Sequence, residues 1–527
     1  MDHLSSLDAS FLHMETPETP MHVGSLCMVE LPQDYEGDFY DAVRKQVINR
    51  MHLARVFTRK LAPMPFELGD PVWIEDDDID LDYHIRRVTV PPPGTMAQVE
   101  SLAARLHSSL LDRSRPLWEI YVIEGTEDGR FGYYSKLHHA GIDGKSGTEL
   151  AKVFFDTTPE SKVYNVPTRR PRGQYQLGMA ELLEASVNNA VQQYTKLAKL
   201  APEAAKIFSG FVQNAPKLLG GDGKDLLASL KPAPKTIFNV AITNQRSFAT
   251  VSLPLDGMKK AVKRHGATLN DGVMAICSSA LRSFLEERAS LPAESLSALV
   301  PVSLRADGDS AQNNQVAAIR VSLETDEKDP RKRWDKIRKS TETSKTFMNQ
   351  VKGIIATDFP MMGSPWLMSS MASMYGRSNL VDRLPPIGNV LISNVPGPPI
   401  PLYVAGARMT HYFPASIPYH GQALNITLES YAGSLDFGFT ACRRALPQDD
   451  LKALGKHLVK AFEELVALEP AGAAAAPNGK AEKAEANEKA IEAAAPRAET
   501  PVPAEAPAAD AKPEKPRKKD AERRLAN

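Results

Sequence analysis

The chain has 527 residues, a formal net charge of −1 and 43% hydrophobic residues, which describes a globular protein with no electrostatic footing for nucleic acid or a strongly acidic partner. That length exceeds what one compact core sustains, so two domains and a tail are expected. Three cysteines, Cys27, Cys277 and Cys442, are odd in number and far apart; they offer no disulfide framework and no metal knuckle, and they suit a reducing, cytoplasmic compartment.

The opening MDHLSSLDASFLHME lacks the basic and apolar regions of a signal peptide, and no run of 18 or more apolar residues is present to span a bilayer. A peripheral position at a membrane or lipid droplet stays open. The stretch MHVGSLCMVEL, from Met21, reads as an early strand. Thr95 and Gln98 have the spacing of a capping box, and Val99, Leu102, Ala103, Leu106 and Leu110 then repeat at helical spacing. Two strands follow, LWEIYVIEG and FGYYSKL, separated by the turn signal TEDG. Next comes KLHHAGIDGKSG, from Lys136 to Gly147, and then GTELAKVFFD as a short helix. The paired histidines therefore sit on a strand-to-helix turn, a loop held by regular elements on both sides.

From Pro167 to about Ala233 strand signals disappear: a basic loop, PTRRPRGQ, leads into two or three amphipathic helices that end at KPAPK, a helical connection. The mixed pattern then resumes. RSFATVSLPL is a strand and LNDGVMAICSSALRSFLEERA a helix, followed by five strands: SALVPVSLR, NQVAAIRVSL, GNVLISNVPGP, LNITLESY and LDFGFTA. A last helix starts at Pro447 with Leu451, Leu454, Leu458, Phe462 and Leu465 on one face. Met361, Met362, Met368, Met371 and Met374 cluster around Trp366, a composition that serves either a core or a surface for alkyl chains. From Glu469 onward the chain is rich in Ala, Pro, Glu and Lys with no aromatic residue, so a disordered tail is expected. Its basic end, KPRKKDAERR, reads as a solvated tail before it reads as a membrane contact. The expected boundaries are 1–166 and 241–468 for two α+β domains, 167–240 for the helical connection and 469–527 for the tail.

His138, His139 and Asp143 admit three readings. A metal site needs three or four ligands, and no further His, Cys or Glu stands at a matching spacing. Ordinary loop residues are the plain alternative. Acid–base catalysis is the third, since an imidazole titrating near neutrality suits removal of a proton from an alcohol. In that reading His139 is the base and His138 shapes the loop. Asp143 is too near in sequence to be assumed an orienter; an ion pair with a distant arginine, Arg305 or Arg115, is an equal role, and Gly144 supplies backbone freedom.

The motif's surroundings narrow the choice. PLWEI (Pro116 to Ile120), LNDG (Leu269 to Gly272), NVPGPP (Asn394 to Pro399), ETPMHVG near the start and PVSLR (Pro301 to Arg305) together resemble the bacterial wax ester synthase/acyl-CoA:diacylglycerol acyltransferase family, in order from about Leu7 to Leu468. The paired-histidine motif alone marks only the wider superfamily of condensation domains and chloramphenicol acetyltransferase. The resemblance implies an α+β fold of two chloramphenicol-acetyltransferase-like domains with the histidines midway along a channel between them. It implies that His139 is the general base of an O-acyltransferase using long-chain acyl-CoA as donor substrate and a fatty alcohol or diacylglycerol as acceptor, with no metal and no cofactor. Asn270 is the candidate donor to the oxyanion, with helix capping as its structural alternative. Gly144, Trp118 and Asp271 are the candidates for the substrate site, although packing for Trp118 and a structural role for Asp271 are the stronger readings of those two. Two other functions compete: a carrier-protein-dependent condensation-type acyltransferase, and a lipid-surface binding protein without catalysis.

Overall fold

The computed structural model describes residues 2–62, 70–142, 150, 153–165, 232–303, 316–351, 374, 376 and 380–468. Asp143, Gly144, Arg305, Trp366, the tail and most of the expected helical connection and methionine cluster lie outside the described residues. Met374, which lies inside them, is exposed.

Two six-stranded mixed sheets organise the described chain. The first has the order β9–β10–β1–β4–β3–β2, with β1 His22–Glu30, β2 Ile85–Thr89, β3 Trp118–Glu124, β4 Phe131–His138, β9 Tyr403–Val404 and β10 Ala407–Ala415. The second has the order β7–β6–β8–β11–β12–β5, with β5 Arg246–Pro254, β6 Ser297–Ser303, β7 Val316–Ser322, β8 Val390–Pro396, β11 Leu424–Tyr431 and β12 Ser434–Cys442. Strand β4 is buried from Gly132 to His138 because both faces of its sheet are covered. Tyr133 and Leu137 pack with Cys27, Val29 and Trp118 on one side, whereas Tyr134 packs with Leu26, Met28 and Val99 on the other.

Helix α1 (Ser6–Met14) starts at a Ser5 cap and lays Leu12 into a small core with Leu61, Leu111, Leu117 and Ala140. Helix α2 spans Phe39–Arg50, and α3 spans Met96–Ser108 behind the expected Thr95–Gln98 capping box. Helix α3 stops short of Leu110, which is 40% exposed. The reason is tertiary: the buried Lys136 Nζ donates to the carbonyls of Leu106 (3.2 Å) and Ser109 (3.0 Å), closing the helix with a side chain from β4.

In the second half, α4 (Leu255–Arg264), α5 (Leu269–Glu287) and α6 (Pro330–Val351) precede α7 (Gln448–Ala467). Leu451, Leu454, Leu458, Phe462 and Leu465 of α7 enter the same core as Val273, Ile276, Leu281 and Phe284 of α5. One connection has no counterpart in the sequence reading. Strand β10, late in the chain, pairs antiparallel with β1, Ala415 opposite Gly24 through Arg408 opposite Glu30, so the second half completes the sheet that carries the histidines.

Candidate active site

Strand β4 delivers the paired histidines to a single 3₁₀ turn, His139–Gly141. Gly141 is required there, because a Cβ would come within 2.7 Å of the Val56 side chain. His138 is fully buried and its Nδ1 accepts the Ala140 N–H at 3.1 Å. With Nδ1 accepting, the proton belongs on Nε2. That nitrogen lies 3.2 Å from Oε2 of Glu15, whose side chain is 4% exposed. Burial acts to raise the Glu15 pKa, but the facing His138 ring, the charge of Arg113 and the Met21 N–H outweigh it and bring it down to about 2. His138 therefore holds the turn through Nδ1, while its buried Nε2 faces the Glu15 carboxylate without hydrogen-bond geometry.

His139 is different. It is partly exposed, its backbone N–H donates to the Met21 carbonyl at 2.9 Å, and its ring stacks on Phe11 of α1 with centroids 3.9 Å apart and planes 19° from parallel. Its Nδ1 is buried without a hydrogen-bond partner among the described residues. Burial, and secondarily the neighbouring His138, push its pKa down to about 4, so at neutral pH the imidazole is uncharged and able to accept a proton. Of the two histidines, this one is the more exposed.

Two further histidines sit behind the turn. His22, opposite His138 in the β1–β4 register, donates Nε2–H to the His107 carbonyl at 2.8 Å. His107 in turn donates Nε2–H to the Ser416 carbonyl at 2.9 Å and accepts the Tyr134 hydroxyl at Nδ1, at 2.8 Å. Burial lowers both pKa values, that of His107 to about 3, so the group packs as neutral rings that tie β1 to the end of β10.

The remaining candidates fall in several places. Trp118 is fully buried, edge-on to Phe57 and stacked on His84, with its indole N–H donated to the Phe57 carbonyl at 3.2 Å. It is a core residue; no face is left for a substrate. Asp271 is committed to structure as well. It closes a capping box with Thr268, accepting from its N–H (2.9 Å) and hydroxyl (2.7 Å), and takes the Thr341 hydroxyl at 2.6 Å. Thr268 is the N-cap of α5, so the capping alternative for Asn270 falls away and its half-exposed side chain is left with no capping duty. Among the described residues, no hydrogen bond or ion pair joins Asn270 or Asp271 to the histidines. Arg115, a candidate partner for Asp143, pairs with Asp80 at 2.9 Å and lies over the Tyr83 ring, and Asp143 itself lies outside the described residues. NVPGPP forms the end of β8 and the three residues past it, where a Cβ on Gly397 would meet the Ser430 carbonyl at 2.3 Å and Glu429 at 2.6 Å.

The model of the wax ester synthase/diacylglycerol acyltransferase catalytic domain matches residues 4–273, and that of the family's C-terminal domain matches residues 312–466. The chain belongs to this family. It is similar to a probable diacylglycerol O-acyltransferase of Mycobacterium tuberculosis, 36% identical over 470 residues that cover 88% of this chain and 99% of the relative. It is 34% identical over 477 residues to the O-acyltransferase WSD of Acinetobacter baylyi, covering 89% of this chain and 98% of that one. Among solved structures, the wax ester synthase/diacylglycerol acyltransferase from Marinobacter aquaeolei VT8 superposes with a TM-score of 0.61 at 29% identity, covering 88% of this chain and all of that one. The first condensation domain of the CDA synthetase, at 16% identity, TM-score 0.50 and coverage of 89% and 97%, shares the fold alone. This wax ester synthase/diacylglycerol acyltransferase family member is therefore an acyltransferase of the α+β, chloramphenicol-acetyltransferase-like type expected from the sequence.

Sequence reasoning missed Phe11, Glu15 and Arg113. Each is an ordinary residue type in an ordinary setting, and nothing in the spacing of positions 11, 15, 113 and 139 marks them as neighbours.

Proposed function

We propose that the protein moves a long-chain acyl group from acyl-CoA to the hydroxyl of a fatty alcohol or diacylglycerol, with His139 as general base. The observation that carries the reading is the division of labour between the histidines: His138 is fully buried, spends Nδ1 on the turn and faces Glu15 with Nε2, whereas His139 is neutral and partly exposed. His139 takes the hydroxyl proton as the acceptor oxygen attacks the thioester carbonyl. The tetrahedral intermediate collapses, the C–S bond breaks, and the proton passes from His139 to the departing CoA thiolate. The intermediate's oxyanion calls for a fixed donor, and Asn270 is assigned that role. No cofactor enters this scheme. The acceptor and the thioester have to meet within contact distance of one imidazole, so both chains must approach the turn together.

Purified protein given palmitoyl-CoA and hexadecanol is expected to release free CoA and form the wax ester, and diacylglycerol is expected to give triacylglycerol. Chelation with EDTA should leave both rates unchanged. Product formed only with an acyl-carrier protein would move the reading to a condensation-type reaction, and no turnover with any acceptor would leave a lipid-binding protein.

Both substrates are amphiphiles that collect at lipid surfaces, and among the described residues no helix is long and apolar enough to cross a membrane. We infer that the enzyme docks on anionic phospholipid through α4 and α6. Helix α4 carries four cations against Asp256, and α6 carries seven against Asp335 and Glu342, in a chain whose net charge is −1. Lys259, Lys260, Lys263, Arg264, Lys332 and Arg338 are exposed, and Arg338 donates to the His265 carbonyl just beyond α4. Each such cation near an anionic bilayer contributes about 1 kcal/mol. Vesicles of phosphatidylcholine with phosphatidylglycerol should sediment the protein at low salt and release it at high salt. The triple variant Lys259→Glu/Lys263→Glu/Lys332→Glu should stay in the supernatant. Equal binding to pure phosphatidylcholine, or unaltered binding of the triple variant, would contradict this face.

A further inference from the structure

We propose that Glu15 and Arg113 are positioning residues that aim His139 for proton abstraction. The idea rests on the general-base reading of His139 and concerns what holds that ring in place.

One carboxylate gathers the backbone around the base. Glu15 stands at the C-cap of α1. Its Oε2 accepts the Met21 N–H at 3.0 Å, and the Met21 carbonyl accepts the His139 N–H at 2.9 Å. The same Oε2 faces Nε2 of His138 at 3.2 Å, and His138 Nδ1 holds the Ala140 N–H at 3.1 Å. The residues immediately before and after the base, and the base's own amide, are therefore each tied within two steps to Glu15.

Arg113 holds the carboxylate from the other side. Its Nε and Nη2 donate to Glu15 Oε1 at 3.0 and 2.8 Å, and Nη2 also donates to the Leu12 carbonyl at 2.7 Å, in the last turn of α1. Phe11, the neighbouring residue on that helix, is the ring stacked on His139. The clamp thus reaches the imidazole twice, through the strand at Met21 and through the aromatic face at Phe11. A carboxylate that merely closed a helix end would need neither the hydrogen bond from Met21 nor the pairing with His138.

An isosteric change tests the geometry. In Glu15→Gln one carboxylate oxygen becomes an NH₂ group, which then faces either the Arg113 donors or the Met21 and His138 N–H groups; donor meets donor in both orientations. Misplacing a base by about 1 Å costs up to about 100-fold in rate. Glu15→Gln is expected to lower kcat by about 10- to 100-fold with KM for acyl-CoA changed less than about threefold, and Arg113→Met to lower kcat by about tenfold. If the two act through one clamp, the double variant should be no slower than Glu15→Gln alone. The Arg113 side chain is 45% exposed, so its variant is expected to fold and decides the matter if Glu15→Gln does not. A folded variant with kcat within twofold of the parent, a loss confined to KM, or losses that multiply in the double variant would overturn the proposal. His139→Ala, run beside them, separates the two ideas. Normal turnover without His139 removes the base reading itself, whereas an inactive His139→Ala with an unaffected Glu15→Gln removes only the clamp.

Discussion

His139→Ala is expected to lose about two to four orders of magnitude in turnover while the protein unfolds at nearly the parent temperature. The ring is partly exposed and its main packing interaction is the stack on Phe11, so the fold has little to miss. His138→Ala should behave in the opposite sense. It leaves the Ala140 N–H without its acceptor and the buried Glu15 carboxylate without one of its partners, so stability falls by about 1–3 kcal/mol and the remaining folded enzyme keeps more activity than His139→Ala does. The pH profile adds a second measurement. Because burial brings His139 down to about 4, kcat/KM should hold level from about pH 8 down to about pH 5 and fall only below that. The same depression makes the protonated ring a liability to the fold. Stability contributed by neutral His139 is complete above its unfolded pKa of about 6.5 and is lost as pH falls toward 4. An acid limb near pH 7, or equal losses in well-folded His138 and His139 variants, would contradict the assignment.

Asp156→Ala should produce the largest loss of stability of the changes considered, about 3–5 kcal/mol. Arg50 at the end of α2 and Asp156 are both about 1% exposed at the side chain and paired at 2.7 and 3.0 Å. Arg50 also donates to the Lys162 carbonyl at 2.9 Å, and the Asp156 backbone exchanges two 2.8 Å hydrogen bonds with Tyr403 in β9. Removing the carboxylate would strand a guanidinium in the interior. Urea unfolding of Asp156→Ala, Arg50→Met and the apolar double variant Arg50→Met/Asp156→Leu should show the double costing less than the sum of the singles. Additive losses would mean that the charges are not felt as a pair.

Much of the layout was legible because it depends on local chemistry. The capping box at Thr95 and Gln98, the hairpin across TEDG and the apolar stripe of α7 all appear where periodicity and turn residues put them. Helix α3 ended early because its stop signal is Lys136, a side chain on another element. Strand β10, ARMTHYFPA, escaped notice because it mixes polar and apolar residues without clean alternation, and its partner β1 lies at the other end of the chain. The Asn270 alternative failed for a nearer reason: Thr268, two residues earlier, already caps the helix.

The sequence by itself determined the identity of the chemistry: a histidine pair on a strand-to-helix turn, an α+β body, and a family whose motifs recur in order along nearly the whole folded chain. Residue type and spacing carry that information, because a base must be a titratable side chain and a tight turn must tolerate its backbone. Only the tertiary structure decided what surrounds each histidine. Both are the same amino acid one position apart, and the difference between them comes from Glu15 and Arg113, and from a Phe11 ring on a helix packed over the turn. Those partners lie far from the histidines along the chain, and burial, which sets both the pairing of His138 and the low pKa of His139, exists only once that chain has closed on itself.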